Sequence, residues 1–136
     1  KDGNYHFGYW ERHVFRPKKR NHFDGRVYIL TNGLTFSAAS MLCALVKGRE
    51  NITLVGEETG GGWYGNSGIM IPNITLPHTK IRVRLPFFRL VQSEFNPSQK
   101  GSGVVPDWYI GTNWRDILSG RDTKLEAVLQ KIRGKE

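Results

Sequence analysis

The stretch Val27-Tyr28-Ile29-Leu30-Thr31-Asn32-Gly33-Leu34-Thr35-Phe36-Ser37-Ala38-Ala39-Ser40-Met41-Leu42-Cys43-Ala44-Leu45-Val46 decides how this 136-residue chain is read. Its first four residues form an apolar, partly β-branched run, entered after Asp24-Gly25 and left at Thr31-Asn32-Gly33. That pattern predicts a buried strand ending in a turn. From Ser37 to Val46 apolar residues cover nearly all sides, which predicts a helix buried all round, with Lys47-Gly48 as its stop. Thr53-Leu54-Val55-Gly56 reads as a second short strand. Strand, helix and strand in that order point to an α/β layered domain.

Working outward, Glu57-Glu58-Thr59-Gly60-Gly61-Gly62 is a turn in which backbone can approach another chain or a ligand closely. Residues 68–77 and 80–91 read as two extended segments split by Pro77-His78-Thr79, a hairpin, with Pro72 marking an edge or a bend. Lys80, Arg82 and Arg84 alternate with Ile81, Val83 and Leu85, the pattern of the wet face of a half-buried strand. A polar, glycine-bearing loop at 93–103 leads into Val104-Val105-Pro106-Asp107. Trp114, Ile117 and Leu118 give one short helical turn. Leu125, Val128, Leu129 and Ile132 then follow the spacing of an amphipathic helix, with Asp122 near its start. Residues 1–24 form a polar and aromatic lead-in without a sustained period.

Composition narrows the class. Hydrophobic residues make up 38% of the chain and aromatics 12%, which suits one globular domain over residues 1–136 rather than a disordered chain. No run approaches the roughly 18 consecutive apolar residues that a membrane span needs. The N-terminus lacks both an initiator Met and the apolar stretch of a signal peptide, so the expectation is a removed targeting segment or an excised piece of a longer chain. Cys43 is the single cysteine; it precludes an intrachain disulfide and reads as a small buried hydrophobe. The net charge of +8 and the cluster Lys18-Lys19-Arg20 invite a phosphate partner, but no nucleic-acid motif accompanies them, and a solvated basic surface, or one that meets an acidic partner domain, is expected. Glu57-Glu58 lacks the further ligands a metal would need; no metal and no cofactor are expected. Asn51-Ile52-Thr53 and Asn73-Ile74-Thr75 fit the glycosylation tripeptide, a short pattern that chance supplies.

The chemistry centres on Ser37. A serine at the first turn of a helix, just after a strand and a glycine-bearing turn, sits at the sheet edge with its hydroxyl open and its backbone fixed. The free N–H groups and the positive end of the helix dipole favour negative charge there, and the Ala38 N–H could hold the oxyanion of a tetrahedral intermediate. The sequence is not a G-x-S-x-G elbow, although the physical logic is related. The competing reading is a serine that only caps the helix. Ser40, one turn on, reads as a packed helix residue.

Four segments resemble a known family. Residues 27–40 are similar to the nucleophile segment of the C-terminal-processing (tail-specific) serine proteases. Leu54-Val55-Gly56-Glu57-Glu58-Thr59-Gly60-Gly61-Gly62 looks like that family's next strand and glycine turn. Gly101-Ser102-Gly103-Val104-Val105-Pro106-Asp107 resembles its Gly-x-Gly-Val-x-Pro-Asp element, and residues 122–129 its last helix. The resemblance implies a spiral, crotonase/ClpP-like α/β fold, of which this chain is the C-terminal part. It also implies hydrolysis of unstructured polypeptides through an acyl-enzyme at Ser37, with the Ala38 N–H as oxyanion donor, in the periplasm or another exported compartment. Gly62 stands where the bacterial members carry a lysine base, so the glycine turn looks more like the tricorn-related branch. There a histidine from an earlier part of the chain is the base, supported by a glutamate before the Gly-Val-x-Pro-Asp element. This chain has Lys100 at the comparable place, and Glu94 falls a few residues early. His6, His13, His22 and His78 all read as surface residues, so the resemblance leaves the base unassigned. The missing N-terminal part of the parent chain is then a partner of this segment. A non-catalytic peptide- or ligand-binding domain of the same fold is the alternative, as in the retinoid-binding relatives.

Overall fold

Branched and aliphatic side chains favour extended backbone where one face can be covered, and the two runs picked out above do form strands. The computed structural model describes Gly8, Val14, Arg16 and residues 18–92 and 100–134. Strand β1 is Val27–Thr31 and β2 is Ile52–Gly56. They pair in parallel from Val27 opposite Ile52 to Thr31 opposite Gly56. Parallel neighbours cannot be joined by a tight turn, and the crossover here is helix α1, Ala38–Val46. A third parallel strand, β7 (Trp108–Tyr109), lies on the far side of β2, giving the order β1-β2-β7. The α/β layering expected from the sequence is therefore present.

Cys43 and Ala44 of α1, Leu54 of β2 and Val104 form the core, with Ile29, Val46 and Trp63 packed against it. Cys43 is buried, as its apolar neighbours suggested, and burial pushes its thiol pKa up. Helix α1 departs from expectation. Ser40, Cys43 and Ala44 are buried, whereas Leu42 and Leu45 stand 51% and 44% exposed. The three-stranded sheet covers one side of α1, and no layer among the described residues covers the other. β1 is likewise half-buried rather than buried, with only Thr31 fully covered.

Between β2 and β7 in sequence, and outside their sheet, come two antiparallel ribbons. β3 (Gly65–Asn66) pairs with β6 (Leu90–Val91), and β4 (Asn73–Thr75) pairs with β5 (Arg82–Arg84). The expected hairpin around residues 77–79 is thus β4–β5. The segment 80–91 is two strands with different partners instead of one. Its apolar face over 81–85 is covered only at Val83, which is half-buried, whereas Ile81 and Leu85 are exposed along with Arg82 and Arg84.

Asp107 locks the returning chain onto β2. Its carboxylate accepts from the Leu54 N–H at 2.8 Å and from Lys47 Nζ at 2.6 Å, while its own N–H donates to the Leu54 carbonyl at 2.8 Å. Burial works to raise the carboxyl pKa, but the Lys47 ammonium and the Leu54 N–H outweigh it, so the group is held below its usual range. Helix α2 (Trp114–Leu118) starts at Asn113, whose side chain accepts from the Arg115 N–H. Helix α3 (Thr123–Ile132) is capped by Asp122, which accepts from Lys124 and Leu125 N–H. Such caps each contribute about 1 kcal/mol. Lys124, nearly buried, fastens α3 to the sheet through Glu57 Oε2 and Thr112 Oγ1, both at 2.7 Å. The Lys124 hydrogen bond is the main reason that the Glu57 carboxyl is also held low. No helix among the described residues is long and apolar enough to cross a membrane.

Candidate functional site

The turn after β1 is built by its own side chains. Asn32 Oδ1 accepts from the Leu34 N–H at 2.8 Å, and Thr35 Oγ1 accepts from the Asn32 N–H at 3.1 Å. These local bonds are what short polar side chains offer a turn. The turn delivers Ser37 to the start of α1 with φ 52° and ψ −124°. A β-carbon disfavours that backbone region, at a cost of about 1–3 kcal/mol. Ser37 stands at the N-cap position, yet its hydroxyl makes no capping hydrogen bond. The residue is exposed, and no partner bonds its hydroxyl among the described residues. A capping serine has extended backbone and spends its oxygen on the helix; Ser37 has neither feature. The Ala38 N–H likewise meets no acceptor among the described residues.

Glycines bring the next segment against this turn. The Gly61 N–H donates to the Thr35 carbonyl at 2.9 Å. A β-carbon on Gly60 would collide with the Gly33 carbonyl and the Phe36 ring, and one on Gly61 with the Ser40 hydroxyl. Behind the glycines, Thr59 is buried and acts as a hook. Its Oγ1 donates to the Gly61 carbonyl and accepts from the Val104 N–H, both at 2.8 Å. Glu58 Oε1 accepts from the Gly103 N–H at 2.6 Å, and Gly62 bridges to Gly103. The glycine turn and the Gly-Ser-Gly-Val-Val-Pro-Asp element, read separately in the sequence, are thus one interlocked unit packed against the turn that leads to Ser37.

On the open side, the loop after β3 borders the hydroxyl. Asn66 Nδ2 contacts Met41 Sδ at 2.8 Å, and Asn66 Oδ1 accepts from the Gly68 N–H at 2.9 Å. A β-carbon on Gly68 would lie 3.7 Å from Ser37 Oγ. Asn66 also lines a cavity of about 390 Å3 with Tyr64, Pro86, Phe87 and Phe88. A second cavity of about 480 Å3 opens at the carboxyl end of β1 between Thr31, Thr35, Arg121 and Lys124.

The base expected beside a serine nucleophile is not assembled by the described residues. His22 faces Asp24 at 3.0 Å, His78 is exposed at the β4–β5 tip, and neither bonds Ser37. Lys100 stacks over the Tyr64 ring, its Nζ 5.8 Å from the ring centre. His6, His13 and Glu94 lie outside the described residues. No group of three or more His, Cys, Asp or Glu side chains among the described residues could hold a metal ion. Thr59 and Asn66 had no sequence signal, because the long-range partners that give them their place, Val104 and Met41, lie 45 and 25 positions away.

Parallel strands, a crossover helix and, at the start of that helix, an exposed serine with a strained backbone define the class as an α/β protein. The family model for peptidase family S41 matches residues 4–110, and the chain belongs to that family. Among solved structures it resembles the crystal structure of a candidate peptidase from Parabacteroides merdae. The match is 24% identical, with a TM-score of 0.53, and covers 83% of this chain and 33% of that one. At that identity the likeness speaks for the fold, and the chain spans about a third of that structure's length. No curated protein matches.

Proposed function

We propose that this chain carries the nucleophile of a serine endopeptidase and that Ser37 attacks the scissile carbonyl of an unstructured polypeptide, bound extended and close to its C-terminus. The observation that carries this reading is the Ser37 backbone, φ 52° and ψ −124°, combined with a hydroxyl that caps nothing. Strain of this kind persists only where the surroundings over-determine it, and it clusters at sites of function. In the reaction a base takes the Ser37 proton as Oγ bonds to the carbonyl carbon. The charge that develops on the carbonyl oxygen is met by the Ala38 N–H and the positive end of α1. Expulsion of the amine leaves an acyl-enzyme at Ser37, which water then hydrolyses.

In this reading the base comes from outside the described residues, and a histidine shown beside Ser37, from any part of the parent chain, would favour it. Residues 1–136 then form the C-terminal part of a spiral, crotonase/ClpP-like protease domain, with 1–24 as its lead-in, acting in the periplasm or another exported compartment. A second reading, a non-catalytic peptide- or ligand-binding domain of the same fold, draws on the lack of any described side chain bonded to Ser37 Oγ.

The two separate in one assay of the full-length protein on an unfolded polypeptide, run beside Ser37→Ala. The enzyme reading expects cleavage that the folded variant has lost. Equal behaviour of the two proteins moves the assignment to the binding domain.

A further inference from the structure

Ser40 is 2% exposed, and its hydroxyl donates to the Ser37 carbonyl oxygen at 2.8 Å. The same oxygen accepts the Met41 N–H at 3.0 Å. The Met41 bond belongs to any helix; the Ser40 bond is an addition. It bears on the site because the peptide unit joining Ser37 to Ala38 is a rigid plane whose C=O and N–H point opposite ways. Two donors fixed on the carbonyl therefore aim the Ala38 N–H. The Ser40 hydroxyl is itself confined, since Gly61 presses so close that a β-carbon there would collide with Ser40 Oγ. Gly61 is pinned by Thr35 on one side and by Thr59 on the other.

We infer that Ser40 is a positioning residue for the oxyanion donor: its buried hydroxyl holds the Ser37–Ala38 peptide so that the Ala38 N–H faces the developing charge. This rests on Ser37 being the nucleophile. Because the oxyanion exists only in the transition state and the tetrahedral intermediate, a misaligned donor costs turnover and leaves substrate binding unchanged.

The test uses the full-length protein and an unfolded polypeptide substrate, with kcat and KM measured for wild type, Ser40→Ala, Ser40→Cys and Ser37→Ala. Ser40→Ala is expected to lose about tenfold to a hundredfold in kcat with KM unchanged. Its affinity for a peptide boronate, which mimics the tetrahedral adduct, should fall by the same factor. Ser40→Cys keeps the packed shape but donates weakly, so it shows the same direction of loss and serves if the alanine variant fails to fold. Wild-type kcat in the folded variants overturns the inference, and so does a rise in KM alone. Cleavage lost in Ser37→Ala but intact in both Ser40 variants leaves the nucleophile assignment standing. Cleavage that survives Ser37→Ala, or a folded wild-type protein that cleaves nothing, overturns the assignment and the inference together.

Discussion

At Ser37 the β-carbon works against the backbone: φ 52° with ψ −124° is a conformation that glycine adopts freely and other residues rarely do. Removing that carbon should relieve strain of about 1–3 kcal/mol, less the roughly 0.5–1 kcal/mol that glycine adds in unfolded-chain entropy. Ser37→Gly is therefore expected to be more stable than Ser37→Ala by about 1 kcal/mol in urea unfolding. A glycine variant less stable than the alanine variant would show that the turn is not strained. None of this is written in the local sequence, where a serine before an apolar run reads equally well as a cap. What distinguishes the two is the Ser37 backbone, φ 52° and ψ −124°, and a hydroxyl that caps nothing; both follow from how the turn is held by residues far along the chain, such as Gly61 on Thr35. The family motifs pointed to Ser37; its geometry needed the fold.

At the scale of elements, the β1–turn–α1–β2 unit was legible because each piece carries its own signal: an apolar run, a polar turn, a small-residue helix with a glycine after it. The long-range joins were not. The ribbon β3–β6 is two residues long on each side, too short for any alternation to register. The exposed outer face of α1 was equally hidden, since an all-round apolar helix states that it can be covered and not by what. The Thr59 hook is the join that holds the glycine turn under α1. Thr59→Val keeps the shape but leaves the Gly61 carbonyl and the Val104 N–H without their partner, a loss of about 2–4 kcal/mol for two covered groups. Chemical denaturation should show it as a lower midpoint. A change below about 0.5 kcal/mol would mean that the hook is incidental.

Across the whole molecule, Asp107 ties the last strand to β2 and to the end of α1, and its carboxyl is held low by Lys47 and the Leu54 N–H. A depressed carboxyl stabilises the fold above its ordinary range near pH 4, and that contribution disappears as pH falls through the lowered folded value. The stability difference between wild type and Asp107→Asn should be full at pH 7 and shrink below about pH 4; a difference that does not change with pH would remove the ion pair from the account. The chain as a whole is an α/β member of peptidase family S41 that presents Ser37 at the mouth of its strand–helix turn. The most direct test of the central proposal, that Ser37 is the nucleophile, is covalent. The full-length protein is treated with a fluorophosphonate, which modifies an activated serine, and the adduct is mapped by peptide mass spectrometry. An adduct on Ser37, absent from Ser37→Ala, is the predicted result. An unmodified Ser37 in a folded, full-length protein would contradict it.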